Sequence, residues 1–186
     1  TTYTATFTPS AQGATTIDVA GGGFTDSSGN NNSAATQFNW TFDTVVPSMA
    51  ITSSTVSDGA TSNDSTIAMI FTSSKATTNF VIGDISVSGG ALSSFNASSS
   101  TVYTATFTPS GGDGAKTLDV AGGVFTDSAG NNNAAATQFN WTYDTTGPSM
   151  TITSSTVSDG ATSNDSTIAL TFTSSEATTN FVIGDI

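Results

Sequence analysis

The chain has 186 residues and a formal net charge of −12: thirteen Asp and one Glu stand against Lys75 and Lys116, and Arg, His and Cys are absent. Such a surface repels phosphate backbones and anionic lipid, so nucleic acid is not an expected partner, and no apolar run approaches the ~20 residues needed to span a membrane. Without His, a serine hydrolase lacks its base, and without His or Cys zinc lacks its usual ligands. The Asp residues lie in loops of small polar residues with no apolar pocket to raise a pKa, so no enzyme activity is expected.

Read from the start, "YTATFTPS" at 3–10 returns at 103–110, an offset of 100. After one added loop residue, Ala20–Ile85 returns as Ala121–Ile186 with ten differences over 66 positions. Phe42 becomes Tyr143 and Met69 becomes Leu170, which keeps inward positions apolar, whereas Lys75 becomes Glu176 on an outward one. A unit of about a hundred residues is the size of a small domain and should own its core. The chain then divides into 1–43, the C-terminal part of one repeat; 44–144, a complete repeat; and 145–186, the N-terminal part of a further one.

Within the complete repeat the hydrophobic period is two. Tyr103, Ala105 and Phe107 alternate with threonines, Phe139, Trp141 and Tyr143 with Asn140 and Thr142, and Ile67, Met69 and Phe71 keep the same spacing, broken only by Ile70. Half-buried strands have this pattern. It predicts strands at 47–53, 65–73, 79–88, 91–96, 101–108, 115–120 and 136–143. Gly83 is expected to mark a bulge in the third, restoring the inward phase for Ile85 and Val87. Turn-rich stretches separate these runs, and the sum is an all-β chain of immunoglobulin-like β-sandwich repeats, about seven strands each, in a head-to-tail array. Trp141 falls on the last strand, away from the position of the antibody tryptophan. Pro47 and Pro148 restrict the backbone where each first strand begins.

"FTDSAGNNN", "FNWTYDTTGP", "TITSSTVSDGATSNDSTIALTFTSSEAT" and "YTATFTPSGGDG" resemble the tandem bacterial Ig-like repeats of large secreted and surface adhesins. The resemblance covers the whole chain. It implies a seven-stranded sandwich, head-to-tail arrays, an extracellular setting at the bacterial cell surface and, often, calcium at the junctions. The first linker, "DTVVP", departs from "DTTGP" but keeps Asp43.

Calcium prefers several oxygens from carboxylates, Asn side chains and carbonyls. Strand order places Asp58, Asp64, Asp113 and Asp144 at one pole of the repeat, and Asp127 and Asn131 at the other beside Asp43. The candidate calcium ligands are therefore Asp43, Asp58, Asp113, Asp127, Asn131 and Asp144, with the repeat counterparts Asp26, Asn30 and Asp159. The same Asp and Asn residues also suit Asx turns around Gly130, and both readings stand.

Rows of outward threonines (Thr2, Thr4, Thr6 and Thr8; Thr104, Thr106 and Thr108) fit exposed strands, and also a face that meets a lattice. Asn31, Asn39, Asn63, Asn96, Asn140 and Asn164 begin N-x-S/T sequons, as expected in a chain so rich in these residues. Residues 145–186 of one copy should complete residues 1–43 of another, lacking only the counterpart of 86–100, either as stretches of one long covalent fibre or as separate subunits that exchange strands, so the expected partner is a neighbouring copy of the chain. The function that follows is a structural repeat of an extracellular stalk or filament. The alternative is an adhesive repeat for a glycan, ice or a cell-surface ligand.

Overall fold

The computed structural model describes residues 1–186, and its regular elements are almost all strands. In chain order these are β1 (Gly13–Ile17), β2 (Phe38–Phe42), β3 (Met49–Ser53), β4 (Thr61–Ser62), β5 (Ile67–Ser73), β6 (Ile85–Ser88), β7 (Gly90–Ala97), β8 (Val102–Pro109), β9 (Gly114–Val120), β10 (Phe139–Tyr143), β11 (Met150–Ser154) and β12 (Leu170–Ser174). Single-turn 3₁₀ helices occupy Ile82–Asp84 and Ile183–Asp185.

Two four-stranded sheets, ordered β3-β5-β8-β7 and β4-β10-β9-β6, form the central body. Alternation along each strand sends one side chain in two inward. Ile67, Met69 and Phe71 on β5 and Tyr103, Ala105 and Phe107 on β8 share one core with Leu118 and Val120 on β9 and Phe139 and Trp141 on β10. Those residues are all buried, and burying each large apolar side chain stabilises by about 1.5–3 kcal/mol. The core therefore joins the two sheets. Phe107 meets Trp141 edge to face across the gap, and Phe80 does the same with Phe125 and Tyr103. The result is a β-sandwich with the strand order expected of an immunoglobulin-like fold.

Register fixes the poles. β5 runs from Ile67 to Ser73 antiparallel to β8, and β9 and β10 are antiparallel to each other. The turn after β5 and the β9–β10 loop therefore lie at the end where the chain arrives from Asp43. The β3–β5 and β8–β9 loops lie at the other end, where it leaves through Asp144. Entry and exit are at opposite ends of the sandwich.

Three local expectations need correction. Residues 79–84 are not strand: the Asp84 carboxylate accepts the Val81 N–H at 2.8 Å while the Asp84 N–H donates to the Val81 carbonyl at 3.0 Å, which closes a tight turn. Gly83 thus sits in a 3₁₀ turn, not a bulge. The bulge is in β7, where the register shifts between Ser93 and Asn96 and Ser94 takes a φ of 53°. An extra strand, β4, pairs parallel with β10 through Thr61 and Ser62 inside what reads as a loop.

On either side, β1 pairs with β2 and β11 with β12 as isolated two-stranded sheets. β1 and β2 are the repeat counterparts of β9 and β10, and β11 and β12 of β3 and β5. The same residue types now face solvent: Leu170 is 53% exposed where Met69 is 1%, and Phe38 is 65% exposed where Phe139 is 4%.

Candidate functional site

The linker from Asp43 to Ser48 is gripped from both sides. Behind it, the Thr44 N–H donates to Gln12 Oε1 at 2.9 Å, so the loop between residue 10 and β1 holds the outgoing chain. Ahead of it, Lys75 in the turn after β5 extends its ammonium to both Asp43 carboxylate oxygens at 2.7 Å, and also to the Val45 carbonyl. The same Nζ reaches Asp127 Oδ2 at 3.1 Å. One cation ties the linker to the β9–β10 loop.

That loop is built to present Asp127. Asp127 Oδ1 accepts the backbone N–H groups of Ala129 and Asn131, both at 3.0 Å, in an Asx turn that Gly130 completes with a φ of 87°. Asn131 Nδ2 donates to Asp127 and to the Asp43 carbonyl, the latter at 3.0 Å. The Asp127 side chain is only 2% exposed. Burial pushes its carboxyl up, but the hydrogen bonds from Asn131, Lys75 and Ala129 outweigh that and hold it at about 2. Lys75 is affected in the opposite sense: burial favours its neutral form, while Asp43 and Asp127 keep it charged and raise it overall. The Lys75 hydrogen bond lowers Asp43, helped by the Val45 N–H. All three groups stay ionised through the neutral range.

Deeper in the same loop, Asn133 is buried and uses every polar atom. Its Oδ1 accepts from Val124 and Phe125 N–H, and its Nδ2 donates to the Ala121 and Ala134 carbonyls. Buried Pro47 packs here and its carbonyl accepts the Ala134 N–H at 2.9 Å. Asn79 anchors the loop from the opposite side, its Oδ1 accepting the Thr126 N–H at 3.0 Å.

At the exit, Asp113 takes the part that Gln12 plays upstream: its Oδ1 accepts both the N–H and the hydroxyl of Thr145 at 2.8 Å. Asp144 accepts the Thr146 N–H at 3.1 Å and donates its own N–H to the Ser62 carbonyl.

The expected ligand residues therefore fall into separate groups. Asp43, Asp127 and Asn131 come together around Lys75. Asp113 and Asp144 hold the next linker. Asp58 instead accepts the Asn140 N–H beside β10 at 2.7 Å, Asp64 bonds to Ser62, and Asp159 lines an open groove with Ile152 and Leu170. Asp26 and Asn30 reproduce the Asx turn of Asp127 and Asn131, with Asp26 Oδ1 accepting from Ser28 and Asn30 at 2.9 Å. No three carboxylates converge as a metal cage would require. The charge that offsets Asp43 and Asp127 is the lysine ammonium.

Sequence reasoning passed over Lys75, Gln12, Asn79 and Asn133. Lys75 carried a signal: it is one of two cations in a strongly acidic chain, placed at the pole that gathers Asp43 and Asp127. The others are ordinary polar residues in polar stretches, without a distinguishing pattern.

The model of the bacterial Ig-like domain family matches residues 43–143, the span between the two gripped linkers. The chain belongs to the bacterial Ig-like domain family. The Ig-like match begins at the first linker aspartate and ends at the last residue of β10, so it covers both sheets and the loop that carries Asp127. No curated protein matches the chain in sequence. Among solved structures, the N-terminal part of the bacterial S-layer protein SbsC aligns over 58% of this chain and 26% of its own, at 19% identity and a TM-score of 0.35. The Ig-like chain thus spans about a quarter of the length of that structure, and the likeness is partial.

Proposed function

We propose that this chain is part of an extracellular stalk or filament at the bacterial surface, in which Ig-like repeats strung end to end supply length and resilience. The observation that carries the reading is the position of the linkers. The chain enters one end of the central sandwich at Asp43 and leaves the other at Asp144, and each linker is held by polar contacts with the repeat that precedes it. A sandwich entered and left at opposite poles propagates as a line. Each repeat adds roughly 35–45 Å if strands rise ~3.4 Å per residue with loops at both ends. The family match supports a surface module of structural kind.

Calcium enters this reading at joints of the Asp144 type, where Glu176 stands in place of Lys75 and the cation must come from outside. Where lysine is present, the joint closes on its own ammonium.

One observation favours the adhesive alternative. The outward face of the β3-β5-β8-β7 sheet carries Thr52, Thr72, Thr104, Thr106 and Thr108 without a charged side chain among them, a surface suited to a neutral ligand. A spacer shows no specific ligand in binding assays on the isolated repeat, whereas an adhesive module retains one.

Pulling single chains that hold several repeats tests the stalk reading. Unfolding a repeat of about a hundred residues at ~3.4 Å each should release roughly 300 Å beyond its folded length. Regular force peaks at that spacing are expected; featureless extension would overturn the reading.

A further inference from the structure

Lys116, the second cation of the chain, lies on β9 opposite Trp141 and is only 3% exposed. Gly89 leaves room for its stem: a Cβ at that position would come within 2.5 Å of Lys116 Cδ. Both ion pairs of the chain belong to Lys75, and no carboxylate meets this second ammonium. Its Nζ instead donates to the Ser110 carbonyl at 2.9 Å and to the Gly112 carbonyl at 2.7 Å, and stands over the Tyr143 ring at 5.6 Å from the centroid. A buried charge needs such partners, and the β8–β9 loop supplies them.

Asp113 sits in that loop between Gly112 and Gly114, which take φ of 76° and 124°. Glycine enters this region freely but is not held in it. The hold comes from Lys116. The Gly112 carbonyl shares a peptide plane with the Asp113 N–H, so bonding that carbonyl fixes the plane from which the Asp113 side chain projects. From there Asp113 accepts the N–H and hydroxyl of Thr145 on Oδ1 and the Thr146 hydroxyl on Oδ2.

The first repeat differs at each part of this set. Thr15 stands for Lys116, Gln12 for Asp113 and Val45 for Thr146, and the loop is one residue shorter. Thr15 Oγ1 reaches only the Gly13 carbonyl, at 3.3 Å, and Gln12 bonds to Thr44 alone. That linker is held mainly from ahead, by Lys75 on Asp43 and Val45. At the following linker the direction reverses: exposed Glu176 replaces Lys75, and the grip comes from behind through Asp113. Both strong holds belong to the central unit, with one of the two lysines at each pole.

We propose that Lys116 is the positioning residue of the exit joint: by pinning the β8–β9 loop it sets Asp113 to hold Thr145 and Thr146, so that the central unit clamps the linkers at both of its ends. One repeat then fixes the direction in which the chain enters and leaves it. The inference rests on the head-to-tail reading above for its purpose, while every contact it uses lies within one chain.

Amide hydrogen exchange in the full chain, in buffer with a calcium chelator, tests this at a single proton. The Thr145 N–H donates to Asp113, whereas the Thr142 N–H donates to the Ala60 carbonyl inside the sandwich. Lys116→Met keeps an apolar stem and removes the donors. It should speed exchange at Thr145 roughly tenfold relative to Thr142, the effect of freeing one hydrogen bond to a charged group. Asp113→Ala should do the same, and adding Lys116→Met to it should change the ratio no further, because both act through one contact. An unchanged ratio in Lys116→Met, whether the two amides stay protected or speed up together, would overturn the proposal, as would effects of the two substitutions that multiply. Neither result alters the force peaks expected of the stalk, so failure of the clamp and failure of that reading are told apart.

Discussion

Phe107 and Trp141 meet edge to face with ring centroids 4.8 Å apart and planes at 80°, one ring from each sheet. Both are buried to within 1% of full enclosure, and the indole Nε1 has no hydrogen-bond partner. Trp141 therefore acts through its ring area and not through its N–H. Trp141→Ala should cost the central unit about 3–5 kcal/mol, measured as a shift of the urea midpoint, because the cavity lies where two sheets meet. Trp40→Ala, the same change at the half-buried counterpart, should leave the central unit's transition unmoved.

Asn133 makes a second demand on the loop before β10. With four backbone partners around one buried amide, Asn133→Ala strands donors and acceptors away from water and should cost roughly 3 kcal/mol in thermal or urea unfolding. Asn133→Asp should not restore stability, because a carboxylate supplies the acceptor and removes both donors. The half-buried counterpart Asn32 makes similar contacts, and Asn32→Ala should leave the stability of the central unit unchanged.

Asp127 ties stability to acid pH. Its carboxyl is lowered from 3.8 to about 2 in the folded chain. A carboxyl whose folded value is depressed contributes stability that is fully present above its unfolded value, near pH 4, and is lost as pH falls towards 2. Melting temperatures followed from neutral pH downward should therefore fall more steeply between about pH 4 and pH 2 in the wild type than in Asp127→Asn. Parallel curves would show that Asp127 has no such linkage.

Lys75→Glu converts the first joint into the type carried at Glu176. It places a third carboxylate beside Asp43 and Asp127, where like charges repel unless a cation joins them. The variant should melt below the wild type, and millimolar calcium should raise its melting temperature while magnesium does so less, given the looser oxygen geometry calcium accepts. The central unit of the wild type, whose joint closes on the Lys75 ammonium, should respond little to either ion. A calcium response equal in both proteins would remove the lysine from its place in this account.

Much of the sandwich is legible in the sequence because its strands are buried on one face, so Ile67, Met69 and Phe71 or Phe139 and Trp141 announce both the strand and its inward side. β4 is not legible: its pairing with β10 runs through the backbone of Thr61 and Ser62, which carry no apolar alternation. The turn at Ile82–Asp84 is hidden for a related reason, since Val81, Ile82 and Ile85 read as strand and only the Asp84 carboxylate reaching back to Val81 closes the turn. At the joint, the pole shared by Asp43, Asp127 and Asn131 follows from strand order alone. The role of Lys75 does not, because a single lysine in a polar turn has the pattern of a solvated charge, and the three residues that supply its oxygen partners lie 30 to 52 residues away.

The account depends on the hundred-residue unit being a self-sufficient load-bearing module. Residues 43–144 contain a single tryptophan, Trp141, so fluorescence of that segment produced alone reports on the joint between its two sheets. Urea unfolding of the segment should show blue-shifted emission that is lost in one cooperative transition, with a slope of about 1–3 kcal/mol per molar urea. Solvent-like emission without a transition would contradict it.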